Sequence, residues 1–143
     1  MKSLSIRAPW WWFILHGGKD IENRKWSTDF RGTVLIHAAK TVPHRDTEED
    51  IEFGIRVMAQ TGISCLGAPP LADFLRPETR GAIVGKVDIV GCTTYSASPW
   101  FFGRFGFMLA NPVTFAQPIP FVGMLGFFDV PDDLVRNAVP IAA

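Results

Sequence analysis

Short apolar runs, each cut off by glycine or proline, limit what this chain can fold into. The tryptophan-rich run Trp10–Leu15 stops at Gly17–Gly18, far short of the ~20 residues that span a bilayer. Only Lys2 and Arg7 precede it and no cleavage-like site follows, so neither an export signal nor a membrane segment is expected. Ser3–Arg7 alternates around Leu4 and Ile6 as a short strand, and Pro9 suits the first turn of a helix over Trp10–His16. Further strands are predicted over Ile21–Trp26, Thr33–Ala39, Gly81–Thr94, Phe105–Gln117 and Gly123–Val130, the last two separated by Pro118–Pro120. The clearest helix is Asp46–Thr61, with acids crowding its first two turns, Ile51, Ile55 and Met58 on one face, and Gly62 as its stop. Pro131–Asn137 reads as a terminal helix, and residues 63–79, with three prolines, as a long irregular loop.

Strands and helices do not alternate strictly, which sets aside a doubly wound parallel sheet. The order favours an α+β fold in one domain over residues 1–143: a mixed, curved sheet or small β-barrel of about six strands flanked by about three helices. A composition 48% apolar and 20% charged is that of a globular chain rather than a disordered one.

The net charge of zero is a cancellation. Residues 1–45 hold eight basic and three acidic side chains, whereas Asp46, Glu48, Glu49, Asp50 and Glu52 form an acidic block of five that offsets them. The remaining residues are balanced, six against six. Neutrality therefore excludes a uniformly polybasic protein and leaves room for a local basic face. Cys65 and Cys92 are too few for a structural zinc site, and no CxxC or HxxxH pairing supplements them, so no metal and no cofactor are expected. Two thiols without an export signal fit a reduced, cytoplasmic setting.

The polar stretch Gly17-Gly18-Lys19-Asp20-Ile21-Glu22-Asn23-Arg24 carries the richest chemistry. It lacks GxxxxGK[ST], which excludes a P-loop, and no G-x-S-x-G is present, which excludes a nucleophile elbow. On a strand, Glu22, Arg24 and Trp26 share one face while Ile21 and Asn23 take the other. Two readings stand: a solvated Glu–Arg pair beside a packed indole, or a groove where Lys19 and Arg24 hold phosphate and Glu22 holds a base edge or acts on a proton. Arg24, Arg31 and Lys40 fall on or beside neighbouring strands, as if along one rim. Trp10–Trp12 fan over about 200° of helix surface, so they cannot all face one core. His37 reads either as a hydrogen-bonded histidine at a barrel rim or as an acid–base group, and His16 as a partner of the helix's last carbonyls. Tyr95, Ser96 and Ser98 form a polar turn before Pro99–Trp100 that would border the cleft.

Six motifs in order carry a family resemblance. Leu4-Ser5-Ile6-Arg7-Ala8-Pro9-Trp10, GGKDIENRKW over 17–26, Phe30-Arg31-Gly32 and Ile36-His37-Ala38-Ala39-Lys40 come first. Gly81-Ala82-Ile83-Val84-Gly85 with Asp88, and Phe105-Gly106-Phe107 with Asn111-Pro112, Pro120 and Gly123, follow. From Ser3 to about Phe128 the chain resembles the ASCH domain family. The resemblance implies a PUA-like, partly open barrel with a cleft near the first helix, and nucleic acid, RNA above all, as the partner. Its G-x-K-x-x-E-x-R pattern selects Gly17, Lys19, Glu22 and Arg24, and it places Trp10 in the core, leaving Trp11 or Trp12 exposed. The expected nucleic-acid-binding set is Arg7, Lys19, Arg24, Trp26, Arg31, His37 and Lys40. Some relatives are ribonucleases or amidohydrolases, which would make Lys19 a base and Glu22 an acid or orienter, with no metal. The amidohydrolase branch resembles K-x-x-T with a later carboxylate; here Glu22 stands where that threonine would be. A protein-interaction module using the 63–79 loop and exposed aromatics is the third alternative.

Overall fold

The computed structural model describes residues 1–141. Strand β1 (Lys2–Ile6) leads into helix α1 (Trp10–His16), followed by β2 (Ile21–Arg24), β3 (Gly32–Ala38) and helix α2 (His44–Gln60). After α3 (Leu71–Phe74) and a 3-10 turn (Pro77–Thr79) come β4 (Ala82–Thr93), β5 (Phe105–Pro120), β6 (Phe127–Asp129) and α4 (Asp132–Val135). The six strands form one mixed sheet in the order β2-β5-β4-β3-β1-β6. β1 runs parallel to β3, with Ser5 opposite His37, and every other pairing is antiparallel.

The sheet curls. Register shifts interrupt the β4–β5 ladder at three places and β3–β4 at one, and such bulges tighten local twist. Phe107 of β5 and Phe127 of β6 stand four places apart in sheet order, yet their rings stack 6.1 Å apart. Trp26, just past β2, closes the gap with edge contacts to both, at 5.1 and 5.4 Å. The result is an α+β curled half-barrel, the mixed, curved sheet that the element order favours and the partly open, PUA-like form that the resemblance implies.

β3 is buried on both faces, so its alternation separates two cores. Val34 and Ile36 join Leu4, Ile6, Trp11 and Ile14, while Leu35 joins Ile83, Phe128 and Val135. Phe13 of α1 packs with Val57 and Met58 of α2 and with Trp100. No helix among the described residues is long and apolar enough to cross a membrane.

Four sequence expectations need correction. The 63–79 segment is not wholly irregular, since it contains α3, whose Phe74 is buried against Trp11, and the 3-10 turn. β5 runs straight through Pro118–Pro120: there its ladder partner is β4, and β2 pairs only with Phe105–Met108. A proline nitrogen on an open side forfeits no ladder bond. β6 is shorter than Gly123–Val130, because only Phe127–Asp129 stand opposite β1 and Gly126, with a left-handed φ of 67°, turns the preceding chain out of the ladder. α2 begins at His44, because the Pro43 carbonyl already accepts the Thr47 N–H.

Candidate nucleic-acid interface

A groove with two lobes opens where β2 meets the end of β1. The first lobe, about 610 Å³, is lined by Arg7, Lys19, Arg24, Lys25 and Arg104, with Glu22 as its only acid and Trp10, Trp26 and Phe102 as ring walls. The second, about 860 Å³, shares Ser5, Arg7 and Arg24 and adds Lys40 and Arg80 with no acid. Seven cations and one carboxylate thus line the groove. None of the acids at 46–52 lines it, although Asp50 on α2 feels the charge of Arg7 while partial burial raises its pKa.

The polar centre is built by a glycine turn. Gly18 takes a left-handed φ of 76° with the Ile63 side chain where a Cβ would stand. The Lys19 N–H then returns to the Phe13 carbonyl, which drives the lysine inward. Its side chain is only 2% exposed, with Nζ 5.3 and 5.8 Å from the Trp10 and Trp100 ring centroids, a cation–π enclosure. Burial lowers its pKa from the ordinary lysine value, and neighbouring Glu22 and Asp20 partly restore it. Lys19 Nζ donates to the Ile21 carbonyl at 2.6 Å and meets Glu22 Oε1 at 4.0 Å. Arg24 Nη2 donates to the Ser5 carbonyl at 2.8 Å and meets Glu22 Oε2 at 3.0 Å. The Arg24 Nε is buried without a partner.

Beneath the second lobe lies His37, which is 2% exposed. Its Nε2 is 2.7 Å from the Phe121 carbonyl, which only accepts, so Nε2 carries the proton and Nδ1 accepts from the Ser5 hydroxyl at 3.0 Å. Burial lowers its pKa, and the Phe121 contact opposes that shift. Gly123 lies over this pair, where a Cβ would come within 2.6 Å of His37 Cε1. The loop that carries Gly123 exposes Val122, Met124 and Leu125 at the lobe's edge.

Of the residues singled out from sequence, Arg7, Lys19, Glu22, Arg24 and Trp26 share the first lobe, and His37 and Lys40 share the second. Arg31 lies outside both and turns back onto the Thr28 and Phe30 carbonyls. The assignment among the tryptophans is reversed: Trp11 is the core residue, in line with Ile14 and Leu15 on one helix face, and Trp10 turns to the cleft. His16 does not cap α1; it is exposed against Trp12, and the Gly17 and Lys19 N–H groups take the Phe13 carbonyl. The 95–98 turn does not line the groove, but Ser98 ties to Asp20 at 2.6 Å and anchors Trp100 behind Lys19. Asp88, drawn below its usual pKa by hydrogen bonds from Thr33 and Asn111, lies outside both lobes. Sequence reading missed Lys25, Arg80, Phe102 and Arg104 as lining residues; only Lys25, beside the GGKDIENR stretch, had a local signal.

The sequence profile of the ASCH domain matches residues 4–103. The chain is also similar to activating signal cointegrator 1 of Homo sapiens, with 25% identity over 89 residues. That alignment takes in 62% of this chain and 14% of the human protein, so this chain corresponds to a small part of that relative's length.

Proposed function

Because the chain belongs to the ASCH domain family, we propose that it is a nucleic-acid-binding domain, one unit over residues 1–143, whose groove holds single-stranded RNA. The observation that carries this reading is the lining: seven cations against one carboxylate across two lobes joined by Ser5, Arg7 and Arg24. Cations displace counterions from phosphates and supply most of the affinity. The faces of Trp10, Trp26 and Phe102 suit stacking on unpaired bases, which single strands offer and duplexes withhold. Direct contact falls to Arg7, Arg24, Lys25, Lys40, Arg80 and Arg104, while Lys19 and His37 hold other groups in place and Arg31 takes no part. The free thiols Cys65 and Cys92 fit a cytoplasmic setting. Titration of labelled single-stranded RNA and duplex DNA at two salt concentrations tests the reading. RNA should bind more tightly and weaken with salt, and Arg7→Ala should reduce that dependence. No binding of either at low salt overturns it.

One observation favours a second reading, a ribonuclease or nucleoside amidohydrolase: a lysine with lowered pKa beside a carboxylate. Lys19 is sealed by its two indoles, so in this reading Glu22 meets the substrate and Lys19 positions it. Retained binding with loss of turnover in Glu22→Gln supports an enzyme, and RNA and acetylated cytidine left intact by the wild type overturn it.

A further inference from the structure

The floor of the first lobe has a hydrogen-bonding pattern more particular than its charge. Glu22 is 7% exposed, and the two cations beside it direct their aligned hydrogen bonds elsewhere, Lys19 to the Ile21 carbonyl and Arg24 Nη2 to the Ser5 carbonyl. Arg24 Nη2 stands 3.0 Å from Oε2 and Lys19 Nζ 4.0 Å from Oε1, so each carboxylate oxygen keeps a lone pair for whatever occupies the lobe. Ser5 directs its hydroxyl proton to His37 and turns only lone pairs toward the groove. Asn23 is tied down at both polar atoms, its amide donating to the Trp100 carbonyl and its oxygen accepting the Phe102 N–H, which leaves it one amide hydrogen. Arg24 keeps one nitrogen for a ligand: Nε is buried, Nη2 is committed, and Nη1 has no hydrogen bond among the described residues. Around Glu22 the floor therefore presents two adjacent acceptors with the Arg24 Nη1 donor beside them.

We propose that the first lobe selects guanine, with the Glu22 carboxylate accepting from N1–H and N2–H₂ and Arg24 Nη1 donating to O6. This rests on the nucleic-acid reading above and names the base at that site. Guanine is the RNA base whose edge places two adjacent N–H donors next to an acceptor. Adenine would set its N1 lone pair, and cytosine its N3 lone pair, against the carboxylate. Uracil would flank one donor with two carbonyl oxygens. A Glu–Arg pair suits cytosine only when two guanidinium nitrogens face the base, and here just one does. Trp26 and Phe102 line the lobe beside the purine's place, and Arg7, Lys25 and Arg104 line it for its phosphates.

Fluorescence anisotropy with labelled uridine pentamers, each carrying G, A, C, U or inosine at the centre, tests this at low salt. The guanine pentamer should bind about tenfold or more tightly than the A, C and U pentamers, as for a bidentate base contact. Inosine, which lacks the N2 amine, should fall between, and N1-methylguanine should lose the advantage. Glu22→Gln should bring the guanine pentamer down to the level of the A, C and U pentamers. Should that variant fail to fold, the inosine and N1-methylguanine results on the wild type decide alone. Equal binding of all pentamers, or preference for another base, overturns guanine selection and leaves the nucleic-acid reading standing. Failure of every pentamer to bind overturns both.

Discussion

The two lobes share two arginines and a serine and differ in how their charge is held. In the first, Lys19, Glu22 and Arg24 are interlocked and mostly withdrawn from water. In the second, Lys40 stands exposed, and Arg80 reaches back only as far as the Lys40 carbonyl. Buried charges depend on one another, because removing one strands the rest in a medium that solvates them poorly. Exposed charges act nearly independently and contribute little to folding. The first lobe is therefore suited to fixed geometry and the second to general attraction.

Removing Glu22 should break that contrast most sharply. Glu22→Ala leaves Lys19 enclosed without its countercharge and should lower folding stability by about 3 kcal/mol, read from urea denaturation midpoints. If the loss is as small as for a surface residue, the first lobe is not an interlocked cluster. A smaller effect belongs to His37 under the second lobe. Burial holds its folded pKa below the ordinary 6.5, so below that pH the unfolded chain takes up a proton the native state does not. Stability should fall as pH drops from there and level off beneath the folded pKa. Thermal melts at pH about 7.5 and about 5 should show His37→Gln flattening this slope in part, since partial desolvation lowers the pKa of the surface His16 as well. The smallest effect on folding is expected of Lys40→Ala, within about 0.5 kcal/mol. Its signature lies in binding, where the slope of log affinity against log salt should shrink by about 0.7 for single-stranded RNA. A large stability loss there would erase the distinction between the lobes.

Much of the fold is legible locally. β1 and α2 have periodic apolar faces, α1 and β3 are short apolar runs, all four have glycine or proline close to their ends, and they lie within a residue or two of their expected limits. The misjudged stretches depend on partners distant in sequence. Whether prolines end β5 depends on which side of it is open, and that is decided by where β2 stops pairing. The site divides in the same way. Lys19, Glu22 and Arg24 are visible as a motif, but that Lys19 is sealed follows from Trp100, brought in from 81 residues away. Arg80 and Arg104 follow a 3-10 turn and precede β5, with no local pattern to mark them. Trp10 and Trp11 cannot be ranked from a run of three identical residues, because Phe74 of the short α3 decides which is covered.

The clasp by which Trp26 joins β5 and β6 places one side chain at both the seam of the barrel and the wall of the first lobe. Closure and occupancy are therefore linked equilibria. A ligand that presses on this ring in the closed state alone raises the work of opening the seam, by about 2.7 kcal/mol at a hundredfold excess over its dissociation constant. By the same reciprocity, loosening the seam from the far side, at Phe127, weakens a ligand that never touches it.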